Sequence, residues 1–328
     1  MDETVLVTGG AGYIGSHAVR RLLRAGYRVV ILDDLSTGHR WAVPSDVPLI
    51  VADIADTSAV TAAIREHAVS SVLHFAARSL VAESESDPAS YYHTNVCGTA
   101  HLLDAMRSMG VTRIVFSSSA AVYGEPAGVP IDEDAPLVPT NVYGRTKRIV
   151  EEMLRNHEEA YGLRWASLRY FNAAGAAPDG TVGEAHDPET HLIPLVLAAA
   201  AGRLPSVTVF GDDYPTPDGT CIRDYVHVMD LADAHVQALT ALDHRSRLVC
   251  NLGTGTGFSV RQIIEAAERV VGHTISVTTA PRRPGDPAVL VASNARANAE
   301  LGWEPHWTDL QTIIRTAWTW VQNRPGAT

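Results

Sequence analysis

Along the first half of the chain, short apolar runs rich in β-branched residues alternate with longer Ala-rich segments of helical period. Val5 to Thr8, Val29 to Leu32, Leu49 to Ala52, Val72 to Ala76 and Ile114 to Ser117 each give way to such a segment. Continuous apolar runs suit strands buried on both faces, and their alternation with amphipathic helices predicts a Rossmann-type, doubly wound α/β fold with a parallel sheet. Further runs at Trp165 to Arg169 and near Leu248 to Leu252 extend the same sheet. From Asn172 onward Pro, Gly and Asp become frequent, with loop-like stretches at Ala174 to His191, Gly211 to Thr220 and Ala280 to Asp286. The expected organisation is a first domain over 1–171 and a smaller mixed α/β lobe over 172–328, with the strand near 248–252 returning to the first. Internal repeats and low-complexity tracts are not found, so one continuous unit is expected rather than independent modules.

Composition narrows the classes. The 328 residues are 46% hydrophobic and 19% charged, and 26 Lys plus Arg against 37 Asp plus Glu leave a net charge of -11. That balance argues against an extended nucleic-acid or anionic-membrane surface, so an anionic ligand would need a local basic pocket. Cys97, Cys221 and Cys250 are far apart and in no CxxC pairing, which fits buried free thiols in a reducing compartment. Apolar runs stay short of a membrane span, and the N-terminus enters a strand-like run without a basic leader. A cytoplasmic location is expected.

The run Gly9-Gly10-Ala11-Gly12-Tyr13-Ile14-Gly15 follows the first strand and opens a helix expected to end near Ala25 and Gly26. Glycines are needed there because the backbone must turn tightly and approach a pyrophosphate held at a helix N-terminus. The next strand ends in Asp33 and Asp34, about 20 residues beyond the glycines, where a carboxylate accepts hydrogen bonds from an adenosine ribose and repels a 2'-phosphate. NAD is therefore the expected cofactor. Asp53, after the third strand, has two readings: a contact to the adenine amino group, or a cap for the helical segment starting near Asp56.

Tyr143 and Lys147 stand four residues apart at the start of an amphipathic segment reaching about Tyr161, so both side chains share one helix face. Lys147 is the only lysine in the chain. A compact ammonium has been kept at one position in a sequence that uses arginine everywhere else, and the planar guanidinium does not replace it. An adjacent ammonium and a cationic nicotinamide ring both favour the phenolate of Tyr143, making it a general acid/base. Ser117-Ser118-Ser119 follows the strand ending at Phe116, where such sheets place ligand-facing groups, and Ser119 is the candidate to hold the reacting hydroxyl. The 14 histidines show neither HExxH nor HxxEH spacing, so no metal is expected.

TGGAGYIG, Ser119, Tyr143 and Lys147 together resemble the extended short-chain dehydrogenase/reductase superfamily. HFAARSLVAES, YYHTNVCGT, SSSAAVYGE, RYFNAAGA, FGDDYPTPDGTCIRDYVHVMDLADAH and the terminal LGWEP narrow the resemblance to the UDP-glucose 4-epimerase family, over essentially the whole chain. The resemblance implies interconversion of UDP-glucose and UDP-galactose through a 4-keto sugar, with NAD reduced and reoxidised within one turnover. It implies that Tyr143 takes the proton of the 4-hydroxyl, that Ser119 assists, and that Lys147 binds the nicotinamide ribose and depresses the Tyr143 pKa. The cofactor set it implies is Gly9, Gly12, Tyr13, Ile14, Gly15, Asp33, Asp34, Leu35, Ser36, Asp53, Ile54, Phe75, Ala76, Ala77, Ser79, Asn95, Ser117, Tyr143, Lys147 and Phe171. Around the UDP-sugar it places Ser119, Tyr143, Asn172, His191, Leu192, Thr208, Phe210, Arg223, Arg283 and Asp286, and it implies a homodimer through the segments Ala89 to Met109 and Tyr143 to Tyr161.

Arg223 and Arg283 also suit a diphosphate on chemical grounds, since an acidic protein needs fixed cationic donors there. Their other reading is surface ion pairing with Asp224 and Asp286. Three positions depart from the family or bear on its specificity: Ser79 where some members have lysine, His191 where many have asparagine, and Leu290 where side-chain size limits the sugar pocket. The alternatives carried forward are a 4-epimerase of another UDP-sugar (an N-acetylhexosamine, a pentose or glucuronate) and a non-catalytic NAD-sensing protein. A nucleotide-sugar 4,6-dehydratase is disfavoured because Ala120 and Ala121 cannot supply the acid that eliminating water requires.

Overall fold

The computed structural model describes residues 3–283 and 285–324. The apolar runs become β1 (Thr4–Thr8), β2 (Arg28–Asp33), β3 (Leu49–Val51), β4 (Val69–His74), β5 (Arg113–Ser119) and β6 (Arg164–Tyr170). After β7 (Asn172–Ala174), β8 (Val207–Phe210) and β9 (Ile222–His227), the chain adds β10 (Arg247–Leu252). The chain then forms β11 (Gly257–Ser259), β12 (Val277–Ala280) and β13 (Val289–Leu290). Seven strands form one parallel sheet in the order β10-β6-β5-β4-β1-β2-β3. The order reverses between β1 and β4, which opens a crevice at their carboxyl ends.

Helices cover both faces. They are α1 (Tyr13–Arg24), α2 (Thr57–Glu66), α3 (Val81–Ser86), α4 (Pro88–Tyr91), α5 (Thr99–Ser108) and α6 (Val142–Tyr161) in the first half. The second half contributes α7 (Leu192–Ala200), α8 (Val228–Ala241), α9 (Val260–Val271), α10 (Ala295–Leu301) and α11 (Leu310–Asn323). One core joins α1 and α8 to one face of the sheet through Val19, Leu22, Leu231 and Leu239, and another packs Leu102, Met106, Val150 and Leu154 on the opposite face. A third, under α7, α9 and α11, lies outside the sheet. β7, β9, β11 and β13 form a separate small sheet, and β8 pairs β12.

Two segments differ from the expected pattern. β4 runs earlier than its apolar run, because the amides of Phe75 and Ala76 both turn to the carbonyl of Thr8 and leave the ladder. The segment from Ala89 to Met109, implied in the dimer contact, divides into α4, a π-helical stretch over Tyr92–Gly98 and α5. Cys250 is buried as expected, whereas Cys97 is exposed on that π-helical stretch and Cys221 is half-buried. Among the described residues no helix is long and apolar enough to cross a membrane.

Candidate active site

The glycine run forms the turn between β1 and α1. Gly9 has φ +72, and a Cβ on it would lie 2.5 Å from the amide nitrogen of Ala76. A Cβ on Gly15 would lie 2.2 Å from the carbonyl oxygen of Gly9, so only glycine permits this approach. Gly12 caps α1 with no side chain, and the first helical turn contains no acidic residue. The amide-rich, positive end of α1 is thus presented without a competing carboxylate. Glycines at the close approaches, a bare helix N-terminus and a carboxylate at the end of β2 make a donor set that fits a dinucleotide.

That carboxylate, Asp33, is buried and does two jobs. Its Oδ2 accepts the Ala11 amide and its Oδ1 the Leu35 amide, both at 2.9 Å, which ties the glycine loop to the loop after β2. Burial raises its pKa, and the two amides oppose the rise. Each oxygen keeps a lone pair for a ribose hydroxyl. Asp34 differs: it is exposed, and its Oδ1 takes both the amide and hydroxyl of Ser36, at 2.9 and 2.7 Å. Asp53 is exposed and caps the Ala55 amide at 2.8 Å, while the helix itself is capped by Asp56.

The remaining nucleotide-side positions divide by exposure. Phe75, Ala76 and Ala77 are half-buried at the end of β4, and Ser79 is exposed beyond them. The Ile54 side chain lies in the core. Asn95 is buried and clamped: its Oδ1 accepts the Arg78 amide at 2.8 Å, and its Nδ2 donates to Arg78 O and Thr146 Oγ1, both at 3.0 Å. Tyr13 donates its hydroxyl to Gly175 O at 2.6 Å, fastening α1 to the segment after β7. Ile14 packs against the core beneath the same helix.

Ser119, Tyr143 and Lys147 meet at the end of β5. Asn141 caps α6 through the Gly144 amide at 2.8 Å, so the helix begins in the cleft and presents Tyr143 in its first turn. Ser119 accepts the Ala121 amide at 3.2 Å and lies close enough to Tyr143 to favour its phenolate. Lys147 Nζ donates to Ser117 O at 2.8 Å and stands 5.7 Å from the Tyr143 ring centre. In this structure burial pushes the Tyr143 pKa up to about 12, and Ser119 only moderates this. Burial likewise pushes Lys147 down to about 7, with Glu151 opposing. Both groups are buried, and desolvation is the largest influence on each.

On the opposite wall, Asn172 donates to Asp224 O at 3.1 Å, and Phe171 packs with Leu290 around Val122 and Tyr123. Arg223 pairs with Asp286 and donates to Ile222 O. Its expected alternative partner, Asp224, is not used: successive residues on β9 face opposite sides, and buried Asp224 instead accepts the amides of Thr254, Gly255 and Ala292. Arg283 lies over the Phe210 ring, 4.0 Å from its centre, and meets Asp286 only through a backbone bond. Thr208 approaches Thr278 on the neighbouring strand, and Leu192 opens α7 directly after His191.

Two features escaped the residue patterns. Glu151 and Arg169 form a buried ion pair at 2.5 Å directly behind Lys147, with Ser118 and Ser167 both donating to Glu151 at 2.7 Å. The i+4 step from Lys147 to Glu151 was the available signal. The second corrects the expectation of no metal-type cluster: Glu184, His186, Glu189 and His191 come together in the loop before α7. Their spacing in an irregular segment matches neither helical histidine motif sought, so only the fold reveals it. His191 and His186 beside Glu184 outweigh its burial and hold the carboxyl down to about 2.

Comparison with known proteins places this geometry in context. A family model described as the NAD dependent epimerase/dehydratase family matches residues 5–253. The UDP-glucose 4-epimerase of Halalkalibacterium halodurans is 52% identical over 323 residues, covering 98% of this chain and 96% of that protein. The crystal structure of UDP-glucose 4-epimerase from Brucella ovis in complex with NAD is 50% identical, covers 96% of this chain and 97% of its own, and superposes with a TM-score of 0.94. That of Stenotrophomonas maltophila, with bound NAD and formylated UDP-arabinopyranose, is 44% identical, covers 98% of each chain and gives 0.95.

Proposed function

The chain belongs to the NAD dependent epimerase/dehydratase family, and on that premise we propose that it is an NAD-dependent isomerase that interconverts UDP-glucose and UDP-galactose at C4. The observation that carries this reading is the convergence of Ser119, Tyr143 and Lys147 at the carboxyl end of β5, two strands along the sheet from β1 and its glycine turn. Gly9, Gly12, Tyr13, Ile14, Gly15 and Asp33 hold NAD, with Phe75, Ala76, Ala77 and Asn95 shaping the floor of its site. When bound, NAD supplies a reversible hydride acceptor, so a 4-keto sugar forms and is reduced again without net oxidation.

The chain's own residues handle the proton. Tyr143 accepts it from the sugar 4-hydroxyl and returns it, with Ser119 bonded to both oxygens during transfer. Because burial favours the neutral phenol, Tyr143 becomes basic only when positive charge is brought beside it in the closed site. Lys147 is anchored on Ser117 O, and its remaining donors would hold the ribose of the cofactor. Arg223 and Arg283 hold the diphosphate, while Phe210, Asn172, His191, Leu192 and Thr208 border the nucleotide. Ala120 and Ala121 form a short turn beside Tyr143 and offer no acid for dehydration.

The test is incubation of purified protein with UDP-galactose and no added reductant. UDP-glucose forming catalytically, with no net NADH, is expected; NADH formed stoichiometrically without UDP-glucose would overturn the assignment. A wider range of UDP-sugars is the second reading. It is favoured by a mid-sized Leu290 packed beside Phe171 and by the formylated UDP-arabinopyranose held in the Stenotrophomonas maltophila relative. A cytoplasmic location and a homodimer complete the reading, the homodimer supported by the exposed rings of Tyr92 and Tyr161 on the two segments expected to pair.

A further inference from the structure

The loop between β7 and α7 gathers two imidazoles and two carboxylates at one point. Glu184, His186, Glu189 and His191 each direct one ligand-capable atom into a group whose members all lie within 4.8 Å of one another. Glu184 Oε1 is 3.0 Å from His186 Nδ1 and also contacts His191 Nδ1. Glu189 Oε1 stands 3.8 Å from the Nδ1 atom of both histidines. Donors placed tetrahedrally at about 2.0–2.1 Å from an ion are themselves about 3.4 Å apart, and the spacings fall on both sides of that value.

Hydrogen bonding within the cluster does not use these atoms fully. His186 Nδ1 is sealed from solvent yet makes no hydrogen bond of acceptable geometry. Glu184 is held through its backbone by α11, and the Glu189 carboxylate by amides of its own loop. Trp320 Nε1 donates to Glu184 O at 2.7 Å, and the amides of Thr190 and His191 donate to Glu189 Oε1 at 2.8 and 2.9 Å. Supporting bonds of this kind orient metal ligands in established sites.

We propose that Glu184, His186, Glu189 and His191 form a closed, four-coordinate site for a divalent transition metal of the zinc type. Two imidazoles and two carboxylates suit Zn2+ or Co2+, whereas Mg2+ and Ca2+ prefer oxygen alone. Four protein donors leave no open position, which assigns the ion a structural task. The His186 ring lies 6.4 Å from that of Tyr13, and His191 immediately precedes α7. A metal there fastens the loop that spans from the nucleotide turn to the helix bordering the sugar nucleotide. The inference rests on the cluster alone, so it stands or falls separately from the choice of sugar.

Metal-depleted protein titrated with Co2+, then with Zn2+, tests it. The expected result is one Co2+ per chain with the intense visible absorption of four-coordinate cobalt, displaced by Zn2+. His186→Ala and Glu189→Gln should each weaken uptake by about 100-fold or more, with circular dichroism unchanged. If His186→Ala does not fold, the isosteric Glu189→Gln, at a half-buried position, carries the comparison. Failure of the wild-type protein to take up Co2+, a six-coordinate spectrum, or uptake untouched by the substitutions would each overturn the proposal.

Discussion

The two walls of the cleft are built differently. The nucleotide wall is one turn and the ends of three adjacent strands, locked by backbone approaches of Gly15 to Gly9 and Gly9 to Ala76 and by the Asp33 carboxylate between the Ala11 and Leu35 amides. The opposite wall draws Asn172, Phe210, Arg223 and Arg283 from separate elements, with side-chain contacts such as Arg223 with Asp286 and Arg283 over Phe210. A wall of interlocked backbone grips one ligand in one pose. A wall of long side chains on loops and short strands can hold a charged diphosphate while leaving the attached sugar free to turn, which a reaction at both faces of one carbon requires.

The sharpest break between the walls is at the chemistry that sits between them. Tyr143→Phe should lower kcat by about 10³- to 10⁴-fold, the upper range for loss of a positioned acid/base, while retained NAD is unchanged. Loss of NAD together with activity would mean that Tyr143 belongs to the nucleotide wall instead.

A second, smaller effect separates protonation from packing. Lys147 is pushed by burial down to about 7 from an ordinary 10.5. Between those values the unfolded chain carries the extra proton, so the stability of the nucleotide-free protein rises with pH. From pH 7 to 9 the gain is about 2 kcal/mol, measured by urea unfolding, and Lys147→Met should remove it. A slope unaltered by that substitution would show that Lys147 is ordinarily protonated in the fold.

The smallest predicted change is on the opposite wall. Arg223→Leu should raise KM for UDP-galactose by about 10- to 100-fold, the worth of a charge-assisted bond, with NAD content intact and kcat within a few-fold. Equal losses in NAD retention and KM would contradict the division of labour between the walls.

The same division governs what could be read from residues alone. The glycine turn, Asp33 and the Tyr143–Lys147 pair were legible because each works through local spacing: a tight turn, a strand end, one helical step. The seven sheet strands followed from their apolar runs, apart from the β4 end, where Phe75 and Ala76 bond Thr8 across the crevice. Legibility failed where burial or long-range contact decides the outcome. Spacing carries no measure of desolvation, so it favoured a phenolate at Tyr143 that burial opposes. Nor does it carry the partner choice of Arg223, the pairing of Glu151 with Arg169, or the convergence of Glu184, His186, Glu189 and His191.

The central claim, that hydrogen leaves and returns at the same carbon within one closed site, is tested most directly with UDP-galactose deuterated at C4. UDP-glucose carrying the deuterium still at C4, formed in ordinary water and slowed relative to the unlabelled sugar, is the expected result. Deuterium lost to solvent, or appearing in released NADH, would contradict it.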